Sequence, residues 1–590
     1  MAAVAAVAPG FGHGIDITDE GLYLVAADAP DPSYTYVGLW GDYLHPLFAL
    51  VRYDIALYRA LGAVLLALSA LVCANGLRRM LTDWGVLAAR GGRSRTFRIA
   101  LDLAVGAGAL VYYALYLITP SYNWLALVGI LICAGGLLPT LGRERSRSGT
   151  WRDSALLSLG AFLAFMGRPT TGVGLALLAA LMVLAVSVRP MRQRLAALLA
   201  AAAVGIVLIG LHLVFVLNWS GTANAFSEAR YFTSSDVTTH SLSGLIRQSL
   251  DQIRLVPAGV WHVAGPTPLL GLAVLLVAFV PATNPERRRR LGAAAALAAF
   301  AGCASTVLVR GGFGGGPHAA RTLPFSGLAL MLTAGLALAA AALVLRAEPV
   351  ADPGPEPELG RPRLRALAIG AFFLLAALLY AFSSNNGLIF QMHGAFLLLG
   401  LGAFSWLLGA AGARAAWATA MVFALVCGVA GVSSVREGAE FGYRTAPPAE
   451  STATSVVSHR GAELDVGPAY AAFYRDLAAA AQTSGFAQGT PLVDLTPFSP
   501  GVGYALGSTP PTTLMLGFSP TVVRWALAKQ EPLRWHGAWL LLEPKGRRHV
   551  DPAAVVGVLG RSFPADYEQV ATLVWPFGDQ SLELWRPRNP

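Results

Sequence analysis

A mainly α-helical, polytopic membrane protein with a small C-terminal α/β domain is the fold class this sequence predicts. Three observations lead there. The 590 residues are 55% hydrophobic and only 13% charged, against about 25% charged in an ordinary soluble domain, and the mean hydropathy is +0.57. Apolar runs of spanning length, about 20 residues, follow one another from residue 59 to 433. The arginines behind the net charge of +10 sit in short clusters between those runs, as topology signals do. That placement rejects a nucleic-acid-binding reading.

Twelve spans are expected, near 59–77, 97–118, 121–141, 153–167, 171–188, 195–217, 266–283, 291–309, 322–345, 364–382, 389–409 and 414–433. The stretch 153–188 is interrupted by Gly-Arg-Pro-Thr-Thr-Gly at 167–172. It reads as two short helices or, alternatively, as one helix with a re-entrant break. The arginine clusters bear on that choice. Arg78, Arg79, Arg90, Arg93, Arg95 and Arg98 follow the first span, and Arg143, Arg145, Arg147 and Arg152 precede the fourth. Further clusters lie at 189–194 and 284–290. All of them fall on one side, the cytoplasmic one, only if the chain reverses at 168–170. The opposite, extracytoplasmic side then receives 10–58, 119–122, 167–172, the loop 218–265, 310–321, 383–387 and the tail from 434. A bacterial-type cytoplasmic membrane is the expected location.

The transmembrane domain is expected over 1–433, with a Pro-rich cytoplasmic linker at 348–363, and the α/β domain over 434–590. In the tail, 469–482 reads as an amphipathic helix, and 491–495, 538–543 and 569–575 read as strands. Cys73, Cys133, Cys303 and Cys427 each lie within an apolar run, which points to packing rather than to disulfides or zinc.

The chemistry concentrates near the N-terminus. "GIDITDEGLYL" carries Asp16, Asp19 and Glu20, followed by Tyr23. A solvated acidic loop is the plain reading. The alternative is a site that deprotonates a hydroxyl beside lipid, because a Pro-anchored amphipathic segment from His45 runs directly into the first span. Cations expected on that side are His45, Arg59, Arg168, Arg310, His318 and Arg321. Each has a plain reading as a snorkelling side chain, although Arg168 interrupts an apolar run, where ionisable residues tend to be functional. Asn385 and Asn386 lie in a turn and Tyr122 opens a helix; sugar contact competes there with a simple turn and with an aromatic belt. The glycine-rich 311–316 lacks the strand and helix a phosphate loop needs and reads as an outer loop. Asn218-Trp219-Ser220 matches a glycosylation acceptor pattern.

With these residues in view, the layout resembles the GT-C membrane glycosyltransferases, nearest to the protein O-mannosyltransferases and the lipid A aminoarabinose transferase. The resemblance covers roughly 10–430 and rests on Asp19-Glu20, His45-Pro46, Arg59 in "LYRALGAVL" and Arg321 in "ARTLPFSGLAL". At that last stretch Thr322 stands where the superfamily has Tyr. The resemblance implies a polyprenyl-phosphate sugar donor, an acceptor hydroxyl on a lipid, glycan or protein, and inversion at the anomeric carbon. It implies Asp19 as general base, with Asp16 the alternative. Glu20 would orient the acceptor or a neighbouring arginine, and no metal is implied. It also implies a complete first spanning helix before the Asp-Glu loop. Only "MAAVAAVAP" precedes it here, so an apolar run upstream of Met1 is expected. Two other classes compete. A surface-polysaccharide polymerase or ligase would use Arg230, Arg247 and Arg254 of the middle loop. A transporter of a lipid-linked saccharide would show matched broken helices.

Overall fold

The structure is a computed structural model that describes residues 7–30, 39–83, 91–114, 118–142, 147–234, 242–266, 362–382, 394–406, 448–496, 499–511, 519–544, 550–576 and 580–588, with isolated positions between 267 and 447. The N-terminal segment, expected as an outer loop, holds two helices, α1 (Asp19–Asp28) and α2 (Trp40–Leu50). Then come α3 (Ile55–Asp83), α4 (Gly91–Leu110), α5 (Tyr122–Thr140), α6 (Arg147–Gly167), α7 (Pro169–Val186) and α8 (Met191–Phe215). They are followed by α9 (Trp219–Ser234), α10 (Leu242–Ala264) and α11 (Pro362–Phe382).

Six described segments are long and apolar enough to cross a membrane: Ile55–Asp83, Arg95–Tyr113, Tyr122–Thr140, Pro169–Val186, Met191–Phe215 and Leu364–Phe382. They match expected spans. The helix α6 has the length but carries Arg147, Arg152 and Asp153 in its first two turns, which lowers its apolarity. Of the other expected spans, the one near 389–409 contains the shorter apolar helix Phe396–Trp406. Those near 266–283, 291–309 and 322–345 lie almost wholly outside the described residues, and the one near 414–433 is described only at 420, 423–428 and 430. The described structure therefore shows six of the twelve.

The bundle is held by close backbone approach. A Cβ on Gly129 would stand 2.4 Å from the Ala164 nitrogen, and one on Gly160 would stand 2.1 Å from the Cys133 nitrogen. Lipid provides no hydrophobic drive between helices, so such small-residue contacts carry the packing of α5 on α6. Between α6 and α7 a single residue, Arg168, adopts extended backbone (φ −146°, ψ 101°). Pro169 cannot donate a helical hydrogen bond and disfavours helical geometry in the residue before it, so the chain turns. The start of α7 lies at Tyr380 and its end bonds Thr140 and Leu141 through Ser187 and Val188. The two helices form a hairpin, which is the split reading of 153–188.

Antiparallel packing gives the bundle two chemically different ends. One end gathers Arg79 with Asp153, Arg78 with Asp102, and Arg189 with the carbonyls of Pro139 and Gly142. The other gathers Glu20, Arg59, Thr119, Tyr122, Arg168 and His212. The described members of the arginine clusters thus share one end.

The tail contains a hairpin of β1 (Ala453–Val456) and β2 (Glu463–Val466) and a sheet of β3 (Leu492–Asp494), β4 (Trp539–Leu542), β5 (Tyr567–Val574) and β6 (Ser581–Pro587). The sheet order is β3-β4-β6-β5, with β3 and β4 parallel and the other pairs antiparallel. The helix α12 (Pro468–Thr483) and the three strand runs coincide with the expected elements. Around Val523, Trp535 and Leu540 the tail has its own core. Its other half, including Leu464, Tyr470 and Tyr504, shares one continuous core with the helical bundle.

Candidate functional site

The N-terminal segment is clamped between bundle and tail. Gly14 N donates to Asp465 O at 2.7 Å, Asp465 N to Gly12 O at 2.9 Å, and Gly501 N to Ile17 O at 2.8 Å. At Gly21 a Cβ would stand 2.3 Å from the Gly501 nitrogen, so only glycine allows α1 to lie on the short helix Pro500–Leu506. Further along, Asp28 is buried and accepts from Arg460 Nε at 2.6 Å, with His459 Nε2 at 3.2 Å. The Arg460 guanidinium also stacks 3.7 Å above the Tyr53 ring.

Within this seam the three carboxylates separate. The Asp16 carboxylate is fully buried and accepts from Thr18 Oγ1 at 2.7 Å and from the Glu20 amide at 3.2 Å. Glu20 answers through Oε2, which accepts from the Asp16 amide at 2.9 Å. This reciprocal pair caps the first turn of α1 in the manner of a capping box. The other Glu20 oxygen accepts from Arg59 Nη2 at 2.7 Å and Nε at 3.0 Å, and from Thr119 Oγ1. Arg59 also donates to the carbonyls of Phe11 at 2.7 Å, His13 at 3.2 Å and Gly14 at 2.8 Å. A guanidinium has five N–H donors, and these contacts use all of them.

Every Arg59 donor is thus engaged within the protein, which leaves none for the donor phosphate expected there. Asp16 and Glu20, expected beside Asp19 as catalytic carboxylates, lie in the interior. Asp19, at the first position of α1, is the half-buried carboxylate of the three.

Arg168 is the contrasting arginine. It is 4% exposed, and its Nη1 donates to the Tyr380 carbonyl. Its centre lies 5.3 Å from the Tyr122 ring centroid and 5.1 Å from that of Tyr380. Among the described residues its Nε and Nη2 have no hydrogen-bond partner. Tyr122 continues the line inward: its ring meets Tyr23 at 5.9 Å and Trp40 at 6.1 Å. Tyr23 lies one turn after Asp19 on α1, so the two share a face. The helix face that carries Asp19 thus meets, through Tyr23, the ring of Tyr122 over which Arg168 lies.

His45 Nδ1 lies 2.8 Å from the Ala27 carbonyl at the end of α1, a tie between helices. Near it, burial pushes the Asp42 carboxyl up to about 6. Tyr43 Oη is 2.8 Å from His212 Nδ1, and His212 Nε2 is 3.3 Å from Thr222 Oγ1. Arg310, His318, Arg321, Asn385 and Asn386 lie outside the described residues. The sequence reading missed Thr119, Tyr380, Asp42 and His212. A signal existed for His212, a lone ionisable residue within an apolar run. None existed for Thr119 or Tyr380, whose roles come from partners distant in sequence. Among the described residues no group of three or more His, Cys, Asp or Glu could hold a metal.

In the tail, Asp494 ends β3 and is bonded by Thr496 N at 2.8 Å and Thr496 Oγ1 at 2.6 Å. Burial first, then the nearby Glu543 charge, raise its carboxyl from 3.8 to about 7. The native state therefore holds this proton more tightly than the unfolded chain, and stability falls as pH rises between those two values. Asp494→Asn keeps the acceptor without the charge. It is expected to raise stability at pH 8 by about 1–4 kcal/mol and to leave it nearly unchanged at pH 4, as thermal unfolding at the two pH values will show.

No protein-family model, curated protein or solved structure matches this chain.

Proposed function

We propose that this chain is a membrane glycosyltransferase that moves a sugar from a polyprenyl-phosphate carrier to an acceptor hydroxyl, with inversion. The reaction is placed at the outer face of the cytoplasmic membrane, the arginine end of the bundle being cytoplasmic. The observation that carries the reading is Arg168, a buried guanidinium with two nitrogens unpartnered among the described residues. A buried charge without its counter-ion is costly, and buried unsatisfied donors point to a missing ligand. At a helix hairpin in a bilayer, the phosphate of a lipid carrier is a fitting anion.

Asp19 accepts the proton of the acceptor hydroxyl as that oxygen attacks the anomeric carbon. The bond from carbon to phosphate oxygen breaks, and the lipid phosphate leaves with the electron pair. Arg168 Nε–H and Nη2–H stabilise that growing charge. Tyr23 and Tyr122, packed edge to face, provide an aromatic wall beside the sugar. Glu20 and Arg59 hold the start of the helix that carries Asp19, and the tail closes over it. His45, His318, Arg321, Asn385 and Asn386 stay in the proposal as donor or acceptor contacts on the sequence pattern alone.

The test is Arg168→Gln, assayed with a polyprenyl-phosphate sugar in proteoliposomes. Transfer is expected to fall by about 10²–10³-fold, with a loss of stability of only about 0.5–1.5 kcal/mol for the Tyr380 carbonyl contact. A lowered Tm with full activity per folded molecule would make Arg168 a structural residue and overturn the reading.

A further inference from the structure

The helix α10 has three distinct faces. Val256, Val260 and Val263 turn toward the protein. About 100° around the helix, Ile246, Leu250, Ile253 and Trp261 form a stripe whose exposure runs from 45% at Ile246 to 56% at Trp261. The next flank carries Arg247, Asp251 and Arg254, with Arg254 80% exposed and paired to Asp251 at 3.4 Å.

We infer that α10 lies in the plane of the membrane surface, its apolar stripe in the acyl–headgroup boundary of a phospholipid leaflet and its arginines on lipid phosphates. Its 23 residues are long enough to span, but it is not among the helices apolar enough to do so. Spanning would carry Arg247, Asp251 and Arg254 through hydrocarbon at several kcal/mol. An amphipathic helix of low overall apolarity settles at the interface instead.

Two observations select lipid as the occupant. The chain reaches this helix from the outward-facing apolar end of α8, where Val214 and Phe215 are 73% and 78% exposed, through α9, whose Trp219 is 74% exposed. Charge agrees as well: the flank beside the stripe offers guanidinium groups, the natural partners of phosphate oxygens, and Trp261 is of the type enriched at that depth. Arg247 and Arg254 then contact headgroups, which removes the feature that favoured a polymerase with arginines in its middle loop.

The test uses the full chain in lipid nanodiscs, with a polarity-sensitive fluorophore on Leu250→Cys or, separately, Asp251→Cys. At Leu250 the expected result is blue-shifted emission, quenched by lipid spin-labelled near the headgroup and little affected by aqueous iodide. At Asp251 iodide quenches and the lipid label does not. Equal iodide quenching at both positions overturns the inference, as does a Leu250 label screened from both quenchers, which would mean polypeptide covers it. Disulfide formation between Leu250→Cys copies without lipid quenching also overturns it, in favour of a second copy on this face. None of these outcomes depends on sugar transfer.

Discussion

Asp19→Asn is expected to lower sugar transfer by about 10²–10⁴-fold, the usual contribution of a general base, while the protein still folds. The change keeps size and hydrogen-bonding capacity but removes the proton-accepting charge. Its structural cost is small because Asp19 is half-buried at the first position of α1. There it contributes only about 0.3–1 kcal/mol through the positive end of the helix. The measurement is single-turnover transfer from a defined polyprenyl-phosphate sugar, with thermal unfolding recorded on the same preparations. Asp16→Asn and Asp42→Asn serve as comparisons. If Asp19→Asn retains full transfer while Asp42→Asn abolishes it, the base is Asp42, whose carboxyl burial already raises to about 6.

Glu20→Gln is expected to act in the opposite sense, through stability. It leaves Arg59, 3% exposed, without its counter-charge. Breaking a buried pair from one side costs about 3–5 kcal/mol. The damage spreads, because Arg59 also holds the carbonyls of Phe11, His13 and Gly14, and the same N-terminal segment carries the backbone bonds to Asp465 and Gly501 of the tail. Loosened docking of the tail is therefore expected, read as a lower Tm and earlier proteolysis after residue 448. The double variant Glu20→Gln with Arg59→Met is expected to be less destabilised than the sum of the two single changes, since it leaves no orphaned charge. Additive losses would show that the two side chains contribute separately. Equal transfer per folded molecule in Glu20→Gln and wild type would confine the pair to structure, as the geometry has it.

Much of the architecture was legible because its signals are local. The spans at 59–77, 121–141, 171–188 and 195–217 follow from uninterrupted apolar length, and each is met by a helix. The turn at Arg168 follows from Pro169, which acts on the residue before it whatever the surroundings. The shared end of the arginine clusters follows from counting reversals. In the tail, the strand at 538–543 was readable from apolar composition, since β4 is buried at all four positions.

The candidate site was legible only in outline. Asp16, Asp19 and Glu20 are chemically alike in sequence, and spacing alone does not rank them. Arg59 and Arg168 both stand near the ends of apolar runs, yet one has every donor occupied and the other has two nitrogens unpartnered among the described residues.

By itself, the sequence determined a polytopic helical body, a helix reversal at Arg168, a mixed C-terminal region and an end of the bundle rich in acids, because length, periodicity and proline geometry act over a few residues. Only the tertiary structure decided which carboxylate is half-buried and which arginine keeps nitrogens unpartnered among the described residues. Burial and hydrogen-bond partners set that, and they come from afar: Arg59 stands 39 residues from Glu20, and the Tyr380 carbonyl 212 residues from Arg168.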